Sequence, residues 1–368
     1  MSNYLQVYGN ISKAFGFKLR PIGTFFLLQL QHAIDSVTRG LDHVFYPGFK
    51  KVGIDRPVFI LGNPRSGTTF MHRFLLETDR LTAFQMWEML FPAITAHKIF
   101  GGMIDRLGAV SPAKYHGSDA HETSLKDVET DDVAAFIKYM DGGFAWCYFF
   151  AWDDEWDSQL SRSIFHESEE SESKRERLYR FMEGCWKRNM YFKSKERFVA
   201  KSSLFTLRTK TLLERYPDAK FIYMVRDPLE TIPSGLSLIT NVLEKAYNMF
   251  ESTAPDLLKQ YLNNLYRASC YMYEKFDQVH SASEIPEKNL RIVTYPEMMR
   301  NLESVVTDLV DFLEIDPAED FDDKLKKQAE IQAGYKSKHK YSLDKYGLTE
   351  EQIKSDLSFV YDKYDVIM

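Results

Sequence analysis

Cysteine is scarce in this sequence, and the few cysteines that occur are far apart. Only Cys147, Cys185 and Cys270 are present, and no two of them form a C-x-x-C pair. This spacing supports neither a disulfide framework nor a zinc knuckle. A reducing, cytoplasmic compartment is therefore the simplest expectation for the chain.

Long hydrophobic runs are also missing. The amino terminus lacks the basic, apolar and small-residue order of a secretory signal, and no run approaches the roughly 20 apolar residues of a membrane span. The most apolar early stretch, residues 25–30, is followed by Gln31, His32 and Asp35, which form the polar side of an amphipathic helix. We expect a soluble protein whose core this helix covers. The alternative is a helix that lies on a membrane or covers an apolar substrate tunnel.

A surplus of positive charge is the third absence. The formal net charge is -6 and the sequence pI is about 5.9. A nucleic-acid-binding protein needs excess Lys and Arg to displace counterions, so the charge argues against this class. Any anionic ligand must be held by a local site. With 44% hydrophobic residues, the 368-residue chain can bury a large core.

Four segments predict the strands of a sheet: residues 57–61, 197–201, 220–225 and 290–294. Residues 57–61 and 220–225 have the continuous apolar, β-branched and aromatic pattern of strands that are buried on both faces. Helical spacing follows each of the four segments, from Thr68 onward and over residues 204–216, 229–242 and 296–313, the third helix being interrupted early by Pro233. Alternating strands and helices predict an α/β fold with a doubly wound parallel sheet, whose ligand lies at the carboxyl ends of the strands.

No internal repeat or low-complexity tract divides the chain, so we expect a single domain over residues 1–368. Within it we distinguish a helical amino-terminal segment, 1–50, and a closing carboxyl-terminal segment, 320–368. Residues 84–193 are charged, Trp-rich and helical in pattern. We interpret them as an insertion that caps the acceptor side of the site.

Gly62 and Gly67 lie five residues apart, after a predicted strand and before a predicted helix. In this P-loop-like order, backbone N–H groups and the helix dipole surround a phosphate. A nucleotide triphosphatase would carry Lys directly after the second glycine, followed by a Ser or Thr that holds magnesium. Thr68 replaces that Lys, and the positive charge lies inside the loop at Arg65. The loop thus suits an oxyanion bound without a metal.

The segment Pro57-Val-Phe-Ile-Leu-Gly-Asn-Pro-Arg-Ser-Gly-Thr-Thr69 resembles the 5'-phosphosulfate loop of the sulfotransferase superfamily. A second segment, Lys220-Phe-Ile-Tyr-Met-Val-Arg-Asp-Pro-Leu-Glu-Thr-Ile-Pro-Ser234, is similar to that family's second signature. In the family, the Arg and the Ser of this signature hold the 3'-phosphate of 3'-phosphoadenosine 5'-phosphosulfate. The resemblance therefore implies this donor and the following binding residues: Asn63, Pro64, Arg65, Ser66, Gly67, Thr68, Thr69, Phe70, Arg226 and Ser234.

The resemblance runs from about residue 50 to 350 and is closest to the large bacterial-type branch. Two weaker similarities lie between the two phosphate motifs. They are Trp87-Glu88 before Leu90-Phe-Pro92, and His121 ahead of the acidic residues 129–132. One family segment is missing, the R-K-G-x-x-G-D-W-K run with which cytosolic animal members clamp the 3'-phosphate. Lys336, Lys338 and Lys340 either replace it or form a solvated basic face.

Sulfuryl transfer requires aligned donor and acceptor oxygens and a neutralised leaving phosphate. Arg65, Thr68 and Thr69 are the expected stabilisers of the 5'-phosphate, together with Lys201 after its strand. Phe70 takes the place where family members stack an aromatic on adenine, although a helix position also suits the core. Asp227 is expected to fix the turn or the neighbouring Arg226 rather than to take part in catalysis. No metal is expected.

The acceptor hydroxyl needs a base that titrates near neutral pH, and histidine is the natural choice. The resemblance favours His121, with His116 and the carboxylate of Glu88 as rivals. Aromatic residues make up 14% of the chain and are dense in the predicted cap. Such a cap suits a small hydrophobic alcohol, sterol-like or lipid-like, better than a sugar chain. A P-loop kinase or nucleotidase and a non-catalytic nucleotide-binding module are the alternative functions.

Overall fold

A parallel β-sheet positions the predicted phosphate loop. The computed structural model describes residues 2–107, 124–152, 155–156, 158–334 and 342–368. Within these ranges the sheet has five strands, in the order β2-β3-β1-β4-β5, and every neighbouring pair is parallel. The strands are β1 (Val58–Leu61), β2 (Leu81–Thr82), β3 (Arg197–Lys201), β4 (Lys220–Val225) and β5 (Leu290–Thr294).

The central strand, β1, is buried on both faces of the sheet, as its sequence pattern predicts. All four residues of β1 are completely buried, as a continuous apolar run requires when helices cover both faces of the sheet. Val58 pairs with Val199 on one side and with Lys220 on the other. The carboxyl ends of β3, β1 and β4 therefore meet at one edge. The predicted α/β fold with a parallel sheet and a P-loop-like strand-loop-helix order is confirmed.

Helices account for most of the remaining described residues. In chain order they are α1 (Ser2–Phe15), α2 (Arg20–Phe45), α3 (Thr68–Leu76), α4 (Met86–Leu90), α5 (Ile94–Leu107), α6 (Asp132–Tyr139), α7 (Gly143–Ala145), α8 (Gln159–Phe165), α9 (Glu172–Lys193), α10 (Thr209–Arg215), α11 (Pro228–Tyr247), α12 (Met249–Ser252), α13 (Pro255–Ser281), α14 (Tyr295–Arg300), α15 (Leu302–Leu313), α16 (Phe321–Ala333), α17 (Glu350–Asp356) and α18 (Ser358–Lys363). A π-helical turn, Trp146–Phe150, follows α7.

Three helix predictions need correction. Pro233 does not interrupt α11, because it lies close enough to the start of the helix that its missing N–H removes a single early bond. The helix predicted over residues 296–313 is instead two helices, α14 and α15, which are separated at Asn301, whose φ of -137° is not helical. The helix predicted over 204–216 begins with a 3-10 turn, Ser203–Leu207, before α10.

The chain divides into two compact units. The first comprises Met1–Gly53, Phe84–Ser194 and Leu236–Arg267, and we call it the helical unit. The second comprises Ile54–Ala83, Lys195–Gly235 and Ala268–Met368; it contains the whole sheet, and we call it the sheet unit. The organisation as one domain with a cap over residues 84–193 stays a prediction.

In the helical unit, α2 packs differently from the expectation. Its apolar residues Phe26, Leu27 and Leu30 are exposed, whereas Asp35 and Asp42 are buried. The buried carboxylates are stabilised by partners: Asp42 accepts a hydrogen bond from Arg188 Nε at 2.8 Å, for example. The predicted amphipathic helix is present, but its polar side faces the protein.

In the sheet unit, α3 contributes a completely buried histidine next to the phosphate loop. His72 Nε2 donates to the carbonyl of Val199 in β3 at 3.1 Å. Burial first, and then the positive charge of Lys201, lower the pKa of His72 from about 6.5 to about 3. The imidazole is thus neutral at physiological pH.

The buried His72 predicts an acid-sensitive fold. Below pH 6.5 the unfolded chain binds a proton that the folded chain refuses until about pH 3, so stability falls as the pH decreases through this window. By pH 4 this group is expected to cost about 3 kcal/mol, because each unit of pKa difference is worth about 1.4 kcal/mol. Urea unfolding at several pH values should show that the free energy of unfolding decreases less steeply with falling pH in His72→Gln than in the unaltered protein. Replacing the exposed His280 by Gln is the control, and equal slopes for all three proteins would contradict the prediction.

Candidate active site

The loop between β1 and α3 begins with a glycine that no other residue can replace without strain. Gly62 has a φ of +124°, and a Cβ built on it would lie 2.3 Å from the carbonyl oxygen of Met224 in β4. Its N–H donates to Thr206 Oγ1 at 3.0 Å. The backbone of the loop can therefore lie against the neighbouring strand only where a side chain is missing.

Asn63 and Ser66 hold the loop in shape. Ser66 donates to the carbonyl of Asn63 through both its hydroxyl, at 2.7 Å, and its N–H, at 3.3 Å. Asn63 Nδ2 in turn donates to the carbonyl of Ser269 at 2.8 Å. Both side chains are buried, and Pro64 between them is half-buried. They support the loop backbone.

Gly67 is the N-cap of α3, with a left-handed φ of +95°. The first N–H groups of a helix have no partner within it, and the helix dipole places positive potential there. Thr68 and Thr69 add hydroxyl groups to this first turn. Phe70 is half-buried and stacks on Phe74, with ring centroids 5.9 Å apart, so one surface of this ring already has a partner. Its proposed contact with adenine stays a prediction.

Arg65 joins the two sequence motifs. Its φ of +72° is unusual for a residue with a side chain, and such backbone strain is concentrated at functional sites. Its Nε donates to Ser234 Oγ at 2.9 Å, and its carbonyl accepts a hydrogen bond from Arg226 Nη1 at 3.3 Å. The residues that the sequence assigns to the two phosphates of the donor are therefore adjacent in the sheet unit.

Two residues beside Arg226 were missed by sequence reasoning. The Arg226 guanidinium lies 3.8 Å from the ring centroid of Tyr295, and its Nε donates to Glu230 Oε2 at 2.6 Å. Glu230 follows Arg226 by four residues along the chain, a spacing that predicts an ion pair on a helix. Tyr295 follows β5, which the strand order places next to β4. Their contacts orient the guanidinium.

Lys201 completes a group of three cations at the carboxyl edge of the sheet. It is the last residue of β3, it is buried, and its Nζ donates to Thr69 Oγ1 at 2.8 Å. Arg65 and Arg226 provide the other charges. Asp227 is used structurally, since its Oδ1 accepts hydrogen bonds from Leu229 N–H at 2.8 Å and from the Tyr361 hydroxyl at 2.7 Å.

The candidate bases are less completely described. His121 and His116 lie outside the described residues, as do Lys336, Lys338 and Lys340. Glu88 belongs to the helical unit, where it closes a capping box by accepting a hydrogen bond from the N–H of Gln85 at 2.8 Å. The same oxygen, Oε2, accepts from Lys193 Nζ at 2.8 Å and from Asn189 Nδ2 at 3.2 Å. These contacts are typical of a structural carboxylate.

Among the described residues, no group of three or more His, Cys, Asp or Glu side chains could hold a metal ion. The cations and loop N–H groups of the sheet unit can neutralise an anion by themselves. Two phosphate oxygens can meet an arginine in a forked pair, while loop N–H groups and hydroxyls bind others. The arrangement is suited to a ligand with two separate phosphate groups.

Comparison with known proteins agrees with this chemistry. A family model described as "Sulfotransferase family" matches residues 57–320. Omega-hydroxy-beta-dihydromenaquinone-9 sulfotransferases Stf3 from Mycobacterium bovis and Mycobacterium tuberculosis are 28% identical over 185 residues, which is 50% of this chain. The chain spans about half the length of these curated relatives, since the match covers 45% of each.

Solved structures extend the similarity to the fold. Sulfotransferase STF9 from Mycobacterium avium superposes with a TM-score of 0.68 at 15% identity, over 90% of this chain and 82% of that one. Sulfotransferase STF1 from Mycobacterium tuberculosis H37Rv superposes with a TM-score of 0.63 at 18% identity, over 97% and 90% of the two chains. The α/β fold is thus shared with both.

Proposed function

The chain belongs to the sulfotransferase family, and from this premise we propose that it transfers the sulfuryl group of 3'-phosphoadenosine 5'-phosphosulfate to a hydroxyl of a small hydrophobic acceptor. One observation carries the choice of donor: Arg65 contacts Ser234 while Arg226 contacts the backbone of Arg65. This junction supports a ligand that presents a 5'-phosphosulfate to the loop and a 3'-phosphate to Arg226 and Ser234. A nucleoside triphosphate has no 3'-phosphate that could bind Arg226 and Ser234.

The proposed reaction exchanges one sulfur–oxygen bond for another. The bond from sulfur to the 5'-phosphate oxygen breaks, a bond from sulfur to the acceptor oxygen forms, and the acceptor proton goes to a base. Arg65, Lys201 and the loop N–H groups neutralise the negative charge that grows on the departing phosphate. His121 is the proposed base, on the sequence resemblance. The phosphate charge is held by cations of the chain itself, so the scheme includes no metal.

Aromatic side chains of the helical unit support a hydrophobic acceptor. Phe136, Phe144, Tyr148 and Phe149 are half-buried, and successive rings have centroids 6.1–6.3 Å apart. Such a surface binds aliphatic or polycyclic groups better than sugars. The curated relatives named for omega-hydroxy-beta-dihydromenaquinone-9 point the same way. We therefore propose a lipid-like or sterol-like alcohol as the acceptor.

The donor proposal predicts selective binding of the 3',5'-bisphosphate product. Excess 3'-phosphoadenosine 5'-phosphate should raise the melting temperature, whereas ATP should not, because only a ligand of the folded state stabilises it. Arg226→Ala should weaken this binding about thirtyfold, equivalent to about 2 kcal/mol for a lost charge-assisted pair. Turnover at saturating donor should change little, since the 3'-phosphate is remote from the transferred sulfur.

Arg291→Ala is the matched control, because Arg291 is an arginine of the same unit whose Nε pairs with Asp308 at 3.2 Å. It should bind the bisphosphate normally. Equal stabilisation by ATP and magnesium would instead support a kinase or nucleotidase. Labelled donor incubated with fatty alcohols, polyprenoid alcohols, sterols, phenols and glycans would then identify the acceptor class.

We place the reaction in the cytoplasm, where the free thiols of Cys147, Cys185 and Cys270 stay reduced.

A further inference from the structure

Helix α2 presents an apolar stripe to solvent along its whole length. Exposed apolar residues recur at helical spacing, and Phe26, Leu30 and Val37 are 65%, 60% and 63% exposed. The other exposed members are Ile22, Leu27, Ala33, Leu41, Val44 and Phe45. Together we call these residues the α2 stripe. Soluble proteins rarely leave a continuous apolar surface of this kind uncovered, unless it binds something.

The opposite side of α2 explains why the stripe cannot turn inward. His32 Nε2 donates to the carbonyl of Ile137 at 2.8 Å, and Asp35 accepts hydrogen bonds from Arg39 at 2.9 Å and Lys138 at 3.0 Å. Asp42, on the same side, is completely buried. If the helix rotated about its axis, these ion pairs and hydrogen bonds would break. Breaking a buried ion pair is strongly destabilising. The outward orientation of the stripe is therefore fixed by the polar contacts.

Asp42 is the strongest of these anchors. Its carboxylate accepts the N–H groups of Ile94 at 3.0 Å and Thr95 at 2.8 Å, at the start of α5, and Arg188 Nε at 2.8 Å. Helix α5, which Asp42 ties to α2, adds exposed Ile99 and Met103 to the apolar surface of the helical unit.

Charge distinguishes this part of the chain from the rest. The whole chain carries a net charge of -6, yet residues 1–53 hold six Lys and Arg and only two acids. Both acids, Asp35 and Asp42, are buried. Five of the basic residues flank the stripe in sequence, with Lys13, Lys18 and Arg20 before it and Lys50 and Lys51 after it; the sixth, Arg39, pairs with Asp35 on the protein-facing side. The segment thus combines an exposed apolar face with the exposed basic side chains of Lys50 and Lys51 at its carboxyl-terminal end.

We propose that α2 docks the protein on the surface of an anionic lipid bilayer, with the α2 stripe in the acyl boundary and the flanking basic residues among the headgroups. An interfacial helix needs both an apolar face and cationic flanks. A second copy of the chain fits less well, because a symmetric contact between two such faces would bring basic segments together. The helix lies on the membrane: no helix among the described residues is long and apolar enough to cross one.

Vesicle sedimentation tests the proposal with the full chain. We expect it to bind vesicles of phosphatidylglycerol and phosphatidylcholine in equal parts, and to bind pure phosphatidylcholine vesicles much less. Combining Phe26→Gln, Leu30→Gln and Val37→Gln should lower binding roughly tenfold or more, because three apolar side chains that would enter the bilayer are lost. These side chains are exposed, so the melting temperature should hold. The assay requires no sulfuryl transfer, so its result is independent of the proposed reaction.

A charge variant and a matched control complete the test. Lys50→Gln with Lys51→Gln should weaken binding to the anionic vesicles roughly tenfold or more, and added salt should have the same effect. Ile331→Gln removes an exposed apolar residue of α16 and should leave binding unchanged. Absence of vesicle binding, or full binding by the triple variant, would overturn the proposal. A dimer that the triple variant dissociates, without vesicle binding, would overturn it in favour of self-association.

Discussion

Replacing Lys201 by alanine is expected to lower turnover by roughly a hundredfold to a thousandfold, the effect of removing one preorganised charge from a developing anion. Lys201 is buried at the end of β3, and its Nζ lies 2.8 Å from Thr69 Oγ1 in the first turn of α3. In the proposed reaction, the charge on the 5'-phosphate is greater in the transition state than in the bound donor. Lys201 should therefore affect the chemical step, in contrast to Arg226.

Single-turnover rates at saturating donor measure this step directly. Lys195→Ala is the matched control, since Lys195 lies in the same unit and pairs with Asp79, whose side chain is 70% exposed. The control should react at the normal rate. Lys201→Ala should also bind the bisphosphate product more weakly, because that product carries the full charge of the 5'-phosphate. A normal single-turnover rate for Lys201→Ala would remove this lysine from the catalytic machinery.

The central strands were predictable because burial on both faces leaves a distinct pattern. Strand β1 is a continuous apolar run with all four residues buried, and β4 is buried over residues 221–225, whereas in β5 only Leu290 and Val293 are buried. Strand β2 was missed, since a pair of residues, Leu81–Thr82, carries no periodicity. Alternating strands and helices predict that the strands run parallel, but the order β2-β3-β1-β4-β5, which places the ends of β3, β1 and β4 together, comes from the structure.

Contacts that depend on tertiary structure were not predictable in the same way. The sequence marks Arg226, but its contact with Tyr295 arises only when β5 lies beside β4. The orientation of α2 is a second example. Hydrophobic spacing predicts which residues share a face, but only the partners of Asp35 and Asp42 decide which face is buried. The hydrophobic pattern of α2 would bury its apolar face, but the buried ion pairs on the polar face keep that face against the protein instead.

Replacing His121 by alanine is expected to lower turnover by a factor on the order of a hundred or more, the usual contribution of a positioned general base. His121 lies outside the described residues, so this prediction depends on the sequence resemblance and on acid–base chemistry. Binding of 3'-phosphoadenosine 5'-phosphate should stay intact, because the residues assigned to both phosphates are in the sheet unit and are unaltered. Extra donor should not restore the rate.

The pH dependence of the rate separates His121 from its rivals. A base with a pKa near the usual histidine value of about 6.5 makes the rate fall at low pH, and that fall should vanish in His121→Ala. His116→Ala should keep it. Glu88→Gln should lower the melting temperature instead, since Lys193 and Asn189 lose the carboxylate that they contact. If His121→Ala turns over normally while either rival variant is inactive yet folded, the base is that rival, and the donor site formed by Arg65, Arg226 and Ser234 is unaffected by the reassignment.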